Sequence, residues 1–253
     1  MATHTQRRLT RKEKRIQAND PNFKKGEDPA IKLNFHLKKI EPLTDNQRLT
    51  FESYAKGKNM MLHGIAGTGK SFISLYLALN QILSSSDCVY KKIVIVRSVV
   101  PTRDMGFLPG NNKEKARVYE APYYAIFTEL FNRGDSYDYL KSKGLVEFIS
   151  TSFIRGITLN DCIIIVDEIA NMTLHELDSV ITRVGKNCKI VFCGDFRQSD
   201  FTREHEKNGL VDFMRIINKM KSFTFVDFTE ADIVRSDMVK EYIITKERLH
   251  VVA

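Results

Sequence analysis

Apolar residues in this 253-residue chain cluster in short, nearly unbroken runs, separated by longer stretches with helical spacing. Asn59-Met60-Met61-Leu62-His63, Lys92-Ile93-Val94-Ile95-Val96, Cys162-Ile163-Ile164-Ile165-Val166 and Lys189-Ile190-Val191-Phe192-Cys193 are of strand length and read as buried strands. Val146 to Ile149 and Phe223 to Val226 read as two more, and Ile31 to Leu37 alternates apolar and polar like a half-exposed strand. Between them, Thr44-Asp45-Asn46-Gln47 opens a helix that runs to about Lys56 and is closed by Gly57. Ser71 to Leu83 forms a second, with Leu75, Leu79 and Ile82 on one side, and another stretch passes through Ile126, Leu130 and Phe131. Thr173 and Glu176 make a capping box for a helix carrying Leu174, Leu177, Ile181 and Val184. Strands alternating with helices predict an α/β fold with a mostly parallel sheet and helices on both faces.

The remaining stretches are of a different character. Residues 1 to about 28 have almost no large apolar side chains and read as disordered or loosely helical. Pro101 to Pro122, rich in Pro, Gly and charge, reads as a long functional loop. The organisation expected is a basic arm over residues 1–40, holding a possible edge strand, and a single domain over 41–253. Hydrophobic and charged fractions of 43% and 28% suit a globular protein, and no apolar run approaches membrane-spanning length. Without an apolar run after the N-terminal basic residues no secretory signal is expected, which points to the cytoplasm. The four cysteines form no C-x-x-C pair and are expected reduced.

The net charge of +8 is local. Of 39 Lys and Arg, eleven fall in residues 1–40 beside four acids, so the other 213 residues hold 28 basic and 27 acidic side chains. The arm suits either phosphate tracking along nucleic acid or a solvated tail.

Chemistry enters at His63-Gly64-Ile65-Ala66-Gly67-Thr68-Gly69-Lys70-Ser71, which fits G-x-x-x-x-G-K-[ST] without mismatch. The glycines let backbone N–H groups turn toward an anion, and a helix N-terminus follows. Gly64, Ile65, Ala66, Gly67, Thr68, Gly69, Lys70, Ser71 and Phe72 are thus the candidate nucleotide-binding set. Lys70 would reach the β- and γ-phosphates and Ser71 would place a hydroxyl on Mg2+. The strand ending in Asp167-Glu168 brings a carboxylate for the Mg2+ shell, Asp167, and a base for an attacking water, Glu168. Gln198, after the strand ending at Gly194-Asp195, would sense the γ-phosphate or the water. Gln47 would read the adenine edge of ATP.

Several strings together resemble the PhoH family of P-loop ATPases, related to the superfamily 1 helicase core. They are Gly64 to Ser71, Ile95 to Val100 with Gly106-Phe107-Leu108-Pro109-Gly110, Ser152 to Asn160, Asp167-Glu168, Ile181 to Gly185, Gly194-Asp195 with Gln198, and Ile233-Val234-Arg235. The resemblance spans roughly residues 42–245. It implies a RecA-like ATPase core, plausibly hexameric, with links to RNA and DNA remodelling. Small single-domain members resembling this chain are common in tailed bacteriophages, which would make the location the host cytoplasm. Two departures stand out: the usual D-E-A-Q is Asp167-Glu168-Ile169-Ala170, and the usual G-D-x-T-Q has Arg197 before Gln198.

The chain has length for one such core, so an arginine completing the ATP site is expected from a neighbouring copy in a homo-hexameric ring. Arg235 and Arg183 are the candidates, followed by Arg155. Arg97 and Arg103 are candidate contacts to single-stranded RNA or DNA, although no interleaved basic–aromatic pattern marks a stacking platform. The expected function is Mg2+-dependent ATP hydrolysis coupled to single-stranded nucleic acid. The alternatives are an ATP-gated assembly scaffold with little turnover and a P-loop kinase.

Overall fold

A computed structural model describes residues 35–84, 87–99, 112–195 and 204–249, with the side chains of 112–116 and 204–208 excepted. The expected arm, apart from residues 35–40, lies outside these residues, as do Arg103 and Gln198.

Six strands form one sheet: β1 (Asn59–Gly64), β2 (Lys92–Arg97), β3 (Val146–Ser150), β4 (Cys162–Asp167), β5 (Cys188–Gly194) and β6 (Phe223–Phe228). Their order is β3-β2-β4-β5-β1-β6, and every pairing is parallel. The helices are α1 (Asp45–Ala55), α2 (Lys70–Ser84), α3 (Asn112–Phe131), α4 (Ser136–Ser142), α5 (Leu174–Ile181), α6 (Glu204–Lys219) and α7 (Asp237–Arg248).

The central strands are apolar without alternation because both of their faces are covered. Met60 and Leu62 of β1, Ile93 and Ile95 of β2, and Ile163 and Ile165 of β4 enter one core with α2, α3 and α4. Their neighbours Met61, Val94, Val96, Ile164 and Val166 enter a second core with α5 and α6. A period-2 backbone thus feeds two layers at once. With the phosphate-loop sequence between β1 and α2, this is the RecA-like α/β arrangement expected. Among the described residues no helix is long and apolar enough to cross a membrane.

Register fixes what shares an edge. Arg97 pairs with Asp167 across β2 and β4, and His63 with Gly194 across β1 and β5. The C-terminal ends of the four central strands therefore present Gly64, Arg97, Asp167 and Gly194 in one row, where ligands of open parallel sheets bind.

Two expectations need correction. Residues 35–37 form no strand: Phe35 is buried edge-on against Phe131 and Tyr139, at centroid distances of 5.1 and 5.3 Å. Its apolar neighbours serve an aromatic cluster with α3 and α4, while 31–34 lie outside the described residues. The 101–122 loop ends earlier than expected, because α3 starts at Asn112 and carries Pro122 inside it. Tyr123, Phe127, Leu130 and Phe131 bury one face of that helix, and this packing overrides the breaker at Pro122. Residues 101–111 lie outside the described residues. The four cysteines are free, and Cys162 and Cys188 lie side by side on β4 and β5, their sulfurs 3.7 Å apart.

At the opposite edge, Lys189 is buried at the start of β5 and donates to Tyr54 O (3.0 Å) and Gln81 Oε1 (3.3 Å). Its ammonium lies 3.7 Å from the Tyr54 ring centroid. Burial pushes its pKa down to about 8. The unfolded chain then binds more protons than the native state between about pH 8 and the ordinary lysine value near 10.5, so the Lys189 contribution to stability rises with pH across that window. We expect the urea unfolding free energy of wild type minus Lys189→Met to increase by about 2 kcal/mol from pH 7.5 to pH 10. A difference that is flat with pH would contradict this.

Candidate nucleotide site

β1 leaves the sheet at Gly64, where φ is +123° and a Cβ would sit 2.0 Å from Phe228 O. Only glycine fits there. Ile65 N donates to the same carbonyl at 3.2 Å, so the loop starts fastened to the end of β6. Thr68 Oγ1 donates to Ile65 O (3.0 Å), closing the loop on itself. Lys70 opens α2 and is nearly buried; its Nζ donates to Gly64 O (2.6 Å), Ile65 O (2.7 Å) and Thr68 Oγ1 (3.2 Å). Burial lowers its pKa, against the pull of Asp195, Cys193, Glu168 and Asp167. The ammonium rests on neutral oxygens, and an incoming phosphate would supply the negative charge it lacks.

The two side chains expected at Mg2+, Ser71 and Asp167, stand side by side. Ser71 Oγ donates to Asp167 Oδ1 at 2.6 Å. The other oxygen, Oδ2, accepts from the hydroxyl of Tyr123 at 3.0 Å. Burial and the adjacent carboxylate push the Tyr123 phenol well above its ordinary value, so it is a neutral donor. Nothing local in the sequence marks this tyrosine; it reaches Asp167 because α3 crosses the sheet edge.

Glu168 follows in a left-handed conformation, φ +55° and ψ +47°, which ends β4 and starts the 3-10 turn Ile169–Asn171. That geometry costs a non-glycine residue about 1 kcal/mol. It leaves the Glu168 side chain half exposed while Asp167 is buried. Arg97 Nη2 stands 4.0 Å from Glu168 Oε1, and its Nη1 is 3.5 Å from Tyr119 O on α3. The arginine expected to touch nucleic acid is thus a wall of this site.

Gln47 is buried beneath the loop, accepting from Leu43 N (2.7 Å) and donating to Thr68 O (3.2 Å). One N–H and one lone pair remain for a base edge. Asn46 beside it donates to Asp227 O (2.9 Å) and Asp232 Oδ2 (2.8 Å), tying α1 to the turn after β6. That turn brings Val234 N to Gly67 O (3.0 Å) and lays Arg235 and Ile243 of α7 over Gly67. Arg235, expected from a neighbouring copy, lies against its own phosphate loop. Arg183 instead lies in the turn between α5 and β5, at the opposite edge of the sheet, where its backbone oxygen accepts from Leu159 N.

These groups enclose a cavity of about 720 Å³. It is lined by Leu43 and Gln47, by Ala66, Gly67, Gly69, Lys70, Ser71 and Phe72 of the loop and the start of α2, and by Asp167, Glu168, Arg97 and Arg235. Pro122, Ala125 and Ile126 of α3 form an apolar side wall. A single strand, β5, separates β1 from β4, close enough for Ser71 and Asp167 to meet.

Fold and site define a P-loop nucleotide-binding protein. The family model for PhoH-like proteins matches residues 39–246, and the chain belongs to that family. It is 31% identical over 210 residues to a PhoH-like protein of Synechocystis, covering 83% of this chain and 62% of that one. Protein PhoH2 of Bacillus subtilis is 35% identical over 172 residues, 65% of this chain and 38% of that one. The chain thus spans less than two thirds of either relative. Among solved structures, Pif1 helicase from Candida albicans aligns with a TM-score of 0.40 at 15% identity, covering 85% of this chain and 46% of that one. The large terminase of a thermophilic bacteriophage, in complex with ADP, aligns at 0.45 and 13%, covering 79% and 49%.

The Gly64 contact yields a direct expectation. Gly64→Ala drives a methyl group into the Phe228 carbonyl and should lower the unfolding free energy by about 3 kcal/mol or more. Chemical denaturation measures this, and a variant within about 1 kcal/mol of wild type would refute the contact.

Proposed function

We propose that this protein is a Mg2+-dependent ATPase whose turnover is coupled to binding or remodelling of single-stranded nucleic acid. The observation that carries the reading is the convergence of Lys70, Ser71, Asp167, Glu168 and Gln47 on the lining of one cavity. Ser71 and Asp167 offer the hard oxygen donors that suit Mg2+. When bound, the ion would neutralise charge on the β- and γ-oxygens.

The chain's own groups divide the remaining work. The loop N–H groups and Lys70 hold the phosphates, and the Tyr123 hydroxyl keeps the Asp167 carboxylate from turning away from Ser71. Glu168, half exposed to the cavity, accepts a hydrogen bond from the attacking water and takes its proton. Arg97, 4.0 Å away, helps hold that carboxylate in place. Arg235 stands ready to balance charge developing on the phosphates. The nucleic-acid half of the reading draws on the PhoH resemblance, with its links to RNA and DNA remodelling. In a hexameric ring, the finer form of this proposal, Arg183, followed by Arg155, is the candidate for a neighbour's site.

Phosphate release with and without single-stranded RNA or DNA tests the reading. Wild type should require Mg2+ and be stimulated by a strand; tight binding without turnover would favour the scaffold, and phosphate on another acceptor a kinase. Glu168→Gln should lower kcat about 100-fold or more while retaining nucleotide affinity, whereas Lys70→Ala should lose the affinity itself. Tyr123→Phe should raise the Mg2+ concentration for half-maximal nucleotide binding several-fold and leave metal-free binding unchanged. Equal Mg2+ midpoints for Tyr123→Phe and wild type would remove Tyr123 from the site.

A further inference from the structure

Outside the nucleotide cavity, a second group of side chains collects at the same edge of the sheet. After β3 the chain turns through Thr151–Phe153 and reverses at Gly156, where φ is +83°. Ile154 is fully buried and pins this turn, yet Phe153 beside it is 67% exposed. An isolated exposed apolar residue needs no explanation. Here its neighbours are specific. Arg155, also exposed, places Nη2 2.5 Å from Nε2 of His175 in the first turn of α5. Among the described residues Arg155 makes no ion pair with a carboxylate, so its charge is uncompensated.

An open aromatic face two residues from a guanidinium held by a second side chain matches one unit of a single strand. A base stacks on such a ring regardless of sequence, and the phosphate beside it takes the guanidinium N–H groups. A folded protein partner covering the ring would bring a carboxylate to Arg155 and raise the particle mass, which the test below reads separately. A duplex hides its base faces.

We propose that Phe153, Arg155 and His175 form a contact for single-stranded nucleic acid, with a base on Phe153, a phosphate on Arg155 and His175 orienting the guanidinium. This rests on the nucleic-acid reading above and assigns it a place. The place is tied to the nucleotide site by Glu176. Its Oε1 accepts from Thr151 Oγ1 (2.6 Å) in the Phe153 turn and from Ser98 Oγ (2.9 Å), the residue after Arg97. Its Oε2 accepts from Thr173 N (2.9 Å) and holds the start of α5, which carries His175. A strand that shifts the Phe153 turn therefore pulls on the segment that positions Arg97 against Glu168.

The test is fluorescence anisotropy with a labelled twelve-nucleotide oligo-U and oligo-dT across a salt series, on wild type, Phe153→Ala, Phe153→Trp and Arg155→Ala. Phe153→Ala should weaken binding about tenfold or more, and Phe153→Trp should restore it. Arg155→Ala should weaken binding to both strands and reduce the slope of log affinity against log salt by about one. Strand-free ATP turnover and melting temperature of Phe153→Ala should match wild type, while its stimulation by the strand falls. If wild type binds neither oligonucleotide, the nucleic-acid reading itself fails. If wild type binds and the Phe153 and Arg155 variants bind equally well, this contact is wrong. A Phe153→Ala protein of smaller particle mass with unchanged strand affinity would show that the ring covers a second copy of the chain, and would overturn the assignment.

Discussion

The nucleotide site hangs from the point where β1 departs the sheet. Gly64 is pressed against the Phe228 carbonyl, and Ile65 N donates to that same oxygen, so the phosphate loop and the end of β6 form one fastening. Everything above the fastening takes its position from it. Val234 reaches Gly67 because β6 ends where it does, Asn46 holds the turn after β6, and Gln47 reaches Thr68 because Asn46 is held. A loop rich in glycine has no packing of its own to keep it open. Here the openness is imposed from outside, by neighbours on both sides of the chain.

The two buried charges of the site, Lys70 and Asp167, are held by neutral groups. Lys70 donates to two backbone carbonyls and a hydroxyl, and Asp167 accepts from the hydroxyls of Ser71 and Tyr123. Direct pairing of Lys70 with Asp167 would satisfy both and leave little for a ligand, because a buried ion pair must be broken before either partner can serve another. Neutral partners prevent an unpaired polar atom without cancelling the field. Glu176 follows the same rule, its burial offset by hydrogen bonds from Thr151, Thr173 and Ser98 that hold its carboxyl below the ordinary value.

The strands were legible because burial on both faces leaves an unmistakable run such as Ile163-Ile164-Ile165-Val166, and the phosphate loop because its backbone demands glycine at fixed places. What stayed hidden depends on tertiary distance. Tyr123 is one tyrosine among nine, and only the crossing of α3 over the sheet edge gives its hydroxyl a meaning. Thr173 and Glu176 were readable as a capping box, but the second oxygen of Glu176 bonds to residues 25 and 78 positions away. Helix α6 buries Leu210, Phe213 and Ile217, a helical pattern masked by Asn208-Gly209 near its start. Helix α7 has no buried residue at all, so it carries no apolar stripe to read. Phe153 is the reverse case, an aromatic whose exposure no periodicity announces.

The strand order also sets a timetable. β1 bonds only to β5 and β6, and Asn59 Oδ1 accepts from Ile190 N across 131 residues of chain. A strand emerging early thus waits, unpaired, for partners made much later, whereas β2, β3 and β4 can already associate among themselves. Long-range parallel pairing of this kind is slow and exposes apolar edges meanwhile. The phosphate loop acquires its fastening only when Phe228 arrives, so a growing or truncated chain has the motif but no site. A loop able to hold a nucleotide therefore reports a sheet that is paired through to β6.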